Sequence, residues 1–177
     1  MIARSLDVYV LLKLCGDSGG KTYAQLGQEL GMSASEVHAA VRRGGEAGLV
    51  KPESKRVVRE AFLDYLLHGV RYAFPALPGR VVRGMPTGYS APCLAGEFAE
   101  LDLPAVWEDA EGSIRGQSVE PLHPSAAEAS KRDEKFYEML ALVDALRCGR
   151  ARERSAAAAR LKKLILRRDE ETKSLRD

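Results

Sequence analysis

The chain has 177 residues, 45% of them hydrophobic and 29% charged, enough for one ordinary domain or two small ones with a real core. Its formal net charge of +2 is too small to imply nucleic-acid binding by itself, so the placement of the charges matters more than their sum. The 3 cysteines, Cys15, Cys93 and Cys148, are too few and too scattered for a disulfide framework or a zinc site, and no apolar run is long enough to span a bilayer.

From Leu6 to Cys15 the residues are almost all apolar, and the run ends in Gly16-Asp-Ser-Gly-Gly20; its length favours a buried helix over a strand. Thr22 opens a second helix with Gln25 three residues on, the spacing of a capping box. That helix runs to Leu30, and Gly31 stops it. Ser33 and Glu36 repeat the capping-box spacing and open a third helix, whose pattern decays at Gly44-Gly45. Leu49-Val50-Lys51 and Arg56-Val57-Val58 are expected as short strands around the turn at 52–55. Arg59 to His68 reads as a fourth helix, and the alternation of Val70, Tyr72 and Phe74 suggests a strand. The stretch 75–121 is dense in Pro and Gly, with short strands expected at Ala105–Trp107 and Ser113–Val119. Helix returns after Pro124: Ser125 is placed to cap a short one. Asp133 to Arg147 is amphipathic, and Arg150 to Arg168 carries a narrow stripe of Ala157, Ala158, Leu161, Leu164 and Ile165. There is no internal repeat.

The informative segment is 23–43. Leu26 and Leu30 are one turn apart and face inward, Gly27 lets the next helix cross closely, and Gly31 gives the backbone freedom for the turn. Met32 fills the space between the helices, and Val37 and Val41 form the inner face of the third. The opposite face presents Ser35, His38, Ala39, Arg42 and Arg43, a polar, basic and small-sided surface such as a helix in the DNA major groove needs. Ser33 at the helix start leaves backbone amides where a phosphate could sit. Lys51, Lys55 and Arg56, on or beside the hairpin, are placed for phosphates or the minor groove.

On these residues the segment resembles the winged helix-turn-helix of bacterial transcriptional regulators of the MarR type. The resemblance is carried by Leu26, Gly27, Leu30, Gly31, Ser33, Ser35, Val37 and Val41 and by the closing Gly48-Leu49-Val50, and covers roughly residues 3 to 60. It departs at Gly44-Gly45, where a longer recognition helix would continue. It implies double-stranded DNA as partner, the third helix as reading helix and the hairpin as wing.

Other patterns carry less. Gly16-Asp-Ser-Gly-Gly20 matches a serine-protease nucleophile motif, but no suitable His and Asp precede Ser18. Continued as Lys21-Thr22 it approaches a P-loop, with the first glycine one place too late and a helix before it. His38, His68 and His123 share no ligand spacing with the cysteines. No enzyme, metal or cofactor is therefore expected. The opening Met1-Ile2-Ala3-Arg4 lacks the form of a signal peptide, so a cytoplasmic protein is expected.

The expected fold is α+β: a winged helix-turn-helix over 1–75, a small β-rich segment over 76–121, and helices over 122–177 that dimerise or bind a partner. The N-terminal unit has its own apolar set, including Leu6, Tyr9, Leu12, Leu26 and Val41, and is expected to fold alone. The expected function is transcriptional control, as a repressor and homodimer joined through Leu161, Leu164 and Ile165. Two alternatives are an antitoxin-like regulator gripping a protein through its C-terminal helices, and a ligand-responsive regulator with an effector pocket near Arg71, Arg83 and Tyr89.

Overall fold

The computed structural model describes residues 4–17, 19–98 and 103–174, with side chains as far as residue 166. The chain is mixed α+β and mostly helical. Helix α1 (Ser5–Gly16) is buried on all sides from Asp7 to Cys15, which is why its sequence shows almost no polar stripe. It lies between α3 (Ala34–Glu46) and α7 (Glu134–Cys148), and so forms the axis of the molecule.

Helix α2 (Tyr23–Leu30) is capped by Thr22, whose hydroxyl accepts the Gln25 amide at 3.2 Å. Gly31 follows with φ 71°, a left-handed conformation that L side chains rarely adopt, and turns the chain into α3. A Cβ on Gly27 would lie 2.5 Å from the Met32 carbonyl, so this turn closes tightly only because residue 27 is glycine.

The expected decay of α3 at Gly44-Gly45 is corrected: the helix continues to Glu46. The two glycines serve packing. A Cβ on Gly44 would meet Val50 and Leu11 at 3.0–3.2 Å, and one on Gly45 would fall 2.3 Å from the Pro52 ring. Their smallness lets the hairpin β1 (Val50–Lys51) and β2 (Arg56–Val57) press against the last turn of α3. Val50 pairs with Val57 and Lys51 with Arg56 across the hairpin.

Helix α4 (Arg59–His68) leads directly into α5 (Val70–Ala73), where a strand was expected. Val70 and Phe74 are one helical turn apart and turn inward, while Tyr72 is 73% exposed with Arg71 stacked on its ring. An alternation of three aromatic and apolar residues fits both periods, and packing against α7 decided it.

In the middle segment, β4 (Ala105–Glu108) and β5 (Ile114–Ser118) fall where strands were expected. The sequence reading missed β3 (Val81–Pro86), which pairs antiparallel with both of them; β4 and β5 pair parallel, closing the three strands on one another. Close approach again needs glycine, since a Cβ on Gly84 would lie 2.0 Å from the Trp107 carbonyl.

Helix α6 (Ala126–Ser130) and α7 precede α8 (Ala151–Ser174). Leu161 and Ile165 are fully buried within the chain, against α4 and α7, together with Ala157. The stripe expected to join two copies is thus covered by the chain itself. A single apolar cluster holds Leu11, Leu26, Leu30 and Val41 together with Phe62, Trp107, Phe136, Leu142 and Leu161. The N-terminal helices and the C-terminal ones share one core.

Several charged groups in or beside that core satisfy one another, while the buried Ser130 hydroxyl has no hydrogen-bond partner among the described residues. Lys13 of α1 reaches Glu29 at 2.8 Å and Asp133 at 2.7 Å, and Asp133 also caps α7 through the Phe136 amide. Asp144 is buried and accepts from Trp107 Nε1 at 2.7 Å, Thr87 Oγ1 at 2.9 Å and Arg147 at 2.6 Å. Arg147 in turn donates to the carbonyls of Phe74 and Glu120. These contacts pin the β-rich segment to α7. Among the described residues no helix is long and apolar enough to cross a membrane.

Candidate nucleic-acid interface

The expected surface divides once the side chains are placed. Ser35, His38 and Arg42 are exposed on the outer face of α3 and Ala39 is half-buried between them. Their spacing of three and four residues puts them on one face, opposite Val37 and Val41. The Arg42 side chain is 63% exposed, and its contact with Glu46 is long at 3.9 Å, so the guanidinium is not committed.

Arg43 is a correction. It was expected on the outer face, and instead it is buried against α1. Its Nε donates to both carboxylate oxygens of Asp7 at 3.0 Å. This two-pronged pair fixes the tilt of α3 on α1 and removes Arg43 from any surface. The Asp7 hydrogen bond, the nearest acidic partner, raises the already high pKa of the guanidinium. One residue's rotation along a helix separates a free arginine from a structural one.

Ser33 forms with Glu36 the capping box that their spacing predicts, and that box bears on the phosphate expected at the same helix end. Its amide and hydroxyl both donate to the Glu36 carboxylate, at 2.9 and 2.7 Å, and its hydroxyl accepts the Glu36 amide at 3.2 Å. The backbone bond from Ser33 lowers the Glu36 pKa, so the first turn of α3 already holds an anion. A phosphate there would meet a like charge; Ser33 acts as a cap. The N-cap Ser125, for its part, donates its hydroxyl to the Gly31 carbonyl at 3.3 Å instead of capping α6.

The hairpin supplies cations. Lys51 and Arg56 are exposed and directly opposite each other across the two strands. Like charges so placed cost roughly 0.2–1 kcal/mol relative to a neutral pair. Among the described residues neither joins an ion pair, and neither does Lys55. Lys55 is not at a free tip. It adopts φ 54°, its ammonium donates to the Lys21 carbonyl at 2.6 Å, and it lies 5.0 Å from the centre of the Tyr23 ring. The Tyr23 ring meets His38 edge-on at 5.1 Å. Tyr23 was not among the expected site residues: it continues the inward stripe of Leu26, Gly27 and Leu30 by helical spacing and packs partly against the core, so its sequence position marks it as a core residue.

The remaining histidines have structural surroundings. His123 stacks on Tyr9 at 5.0 Å and accepts the Ser125 amide at its Nδ1, and burial lowers its pKa. His68 faces Asp64 at 3.6 Å on the surface. Among the described residues no group of three His, Cys, Asp or Glu is placed to hold a metal ion.

The residues expected around an effector do not converge. Arg83 donates to the Gly112 carbonyl, Tyr89 packs beside Ala105 and Val119, and Arg71 lies on Tyr72. An open groove of about 480 Å³ is lined by Leu77, Trp107, Glu108, Val119, Glu120 and Pro124 among others, and by none of Arg71, Arg83 and Tyr89. No family model, curated protein or solved structure matches the chain.

Proposed function

We propose that the chain is a sequence-specific, double-stranded DNA-binding regulator, acting as a repressor through a winged helix-turn-helix. Helix α3 is the reading helix and the β1–β2 hairpin is the wing. The observation that carries this reading is the pair Lys51 and Arg56, two exposed cations set opposite each other and in no ion pair among the described residues, beside the outer row of exposed Ser35, His38 and Arg42 and half-buried Ala39. An arrangement that costs stability in the free protein is repaid by an anion lying across it. Arg42, still free, has the reach and the paired donors to recognise a guanine edge, and Ser35 and Ala39 are small enough to let α3 approach the bases.

One such helix covers few base pairs, so the reading implies two copies on one operator, joined through a surface other than Leu161 and Ile165. The runner-up, a protein partner gripped by the C-terminal helices, draws on Arg152, Lys162 and Lys163, which are exposed on α8. A second protein retained at fixed stoichiometry through purification would favour it.

The test is selection of duplexes from a random-sequence pool by the full chain. Enrichment of a defined motif, repeated with a spacing of about one helical turn, is the expected result. Recovery of the unselected pool at every salt concentration would contradict the proposal.

A further inference from the structure

We infer that Tyr23 is a positioning residue of this interface, whose ring holds the Lys55 ammonium ready for a DNA phosphate between the wing and α3. The inference rests on the DNA-binding reading above and names a residue that reading does not need.

Three elements meet at the Tyr23 ring. It stands at the first position of α2. Its face lies under the Lys55 ammonium at 5.0 Å, and it meets the His38 ring of α3 at 5.1 Å with an interplanar angle of 79°. The ammonium also donates to the Lys21 carbonyl at 2.6 Å. Lys55 reaches this position from a left-handed backbone conformation, which a non-glycine residue holds only when its surroundings enforce it. The other flank of the turn is fixed too, because Pro52 presses on Gly45. The wing is therefore fastened at two points, Pro52 to the end of α3 and Lys55 to the start of α2.

The chemistry of the fastening matters. Neighbouring Lys21 is neutralised by Glu29 at 2.8 Å and Asp17 at 3.5 Å. Lys55 is held instead by a neutral carbonyl and a π face. Such partners orient an ammonium without cancelling its charge, and one acceptor leaves two of its three N–H donors unused. A lysine fixed in this way loses little side-chain freedom on meeting a phosphate. The edge contact to His38 ties the same ring to the reading face, so the wing cation and α3 are set in one frame.

The test is a double-mutant cycle on the full chain with Tyr23→Leu, Lys55→Met and the pair, read as affinity for a random-sequence duplex across a salt series. Tyr23→Phe is the conservative control, and circular dichroism confirms that each variant is folded. Tyr23→Leu is expected to weaken binding roughly two- to fivefold, the scale of a lost cation–π contact. Lys55→Met is expected to flatten the salt dependence by about one unit. The double variant should bind no worse than Lys55→Met alone, and Tyr23→Phe should bind as wild type does. Amide exchange, read without DNA, should quicken over 50–57 in Tyr23→Leu and stay unchanged in α4. If the wild type binds and the two losses simply multiply, or Tyr23→Phe is as weak as Tyr23→Leu, the positioning role is overturned and the DNA reading stands. If the wild type binds no duplex, both fall together.

Discussion

The hairpin beside α3 and the centre of the molecule treat their charges in opposite ways. In the centre, cations are matched: Lys13 with Glu29 and Asp133, Arg43 with Asp7, Arg147 with Asp144. At the hairpin, Lys51, Lys55 and Arg56 join no ion pair among the described residues, although Glu53 lies in the same turn, and the Arg42 contact with Glu46 is long. Matched charges inside a core hold elements in place. Unmatched ones crowded on a protruding turn weaken the free protein slightly, and they make physical sense as half of an interface. Adjacent Arg42 and Arg43 bring the contrast down to a single step of one helix.

The largest expected effect breaks the idea of an independent N-terminal unit. Tyr9 packs on Phe136 and His123, and α1 lies along α7. A chain cut after Phe74 leaves that side of α1 bare. It is expected to show no cooperative thermal transition by circular dichroism. A sharp transition in the fragment would mean that the shared core is dispensable.

Next in size is the pair of arginines. Arg43→Ala leaves the buried Asp7 carboxylate with the Arg4 amide but without its balancing cation, and is expected to destabilise the fold by roughly 3–5 kcal/mol in urea unfolding. Arg42→Ala should change stability by no more than about 0.5 kcal/mol, as exposed substitutions do. Equal losses would erase the distinction between the two regions.

A smaller effect concerns acid. Burial raises the pKa values of Glu29 and Asp133, but their hydrogen bonds outweigh it. Lys13 and Lys21 carry Glu29 below its ordinary 4.5, and Lys13 with the Phe136 amide carries Asp133 below its ordinary 3.8. Both bind protons more weakly folded than unfolded. Their stabilisation is complete above those ordinary values and is lost as pH falls through the lower, folded ones. Asp144 runs the other way: burial raises it against the pull of Arg147, Trp107 and Thr87. Melting temperature followed from pH 6 down to about pH 3 should therefore fall less steeply in Lys13→Met than in wild type. An unchanged slope would remove Lys13 from the account.

Much of the first sixty residues was legible because local rules govern them. Both capping boxes, the left-handed Gly31 and the hairpin register follow from residues a few places apart. What was misread depends on distant partners. Gly44 and Gly45 looked like a helix end because Leu11, Val50 and Pro52, which need the space, lie far away or across a turn. Arg43 looked like a surface residue because Asp7 is 36 positions away. The α8 stripe looked uncovered because α4 and α7 cover it only after folding. Strand β3 was missed because Pro86 and two glycines nearby obscure its alternation, and its partners lie beyond the following turns. Ser35, His38 and Arg42 are exposed as expected, since exposure on a helix follows its period. Tyr23 escaped because the groups that meet its ring, Lys55 and His38, come from other elements.

The central claim is that the outer face of α3 reads sequence. The direct measurement is the affinity of wild type and Arg42→Ala for the selected duplex and for a random one, across a salt series. Arg42→Ala should lose about 1–3 kcal/mol on the selected duplex, spread over one base position, and far less on the random one. Equal losses on both duplexes would show that α3 does not read the bases and contradict the account.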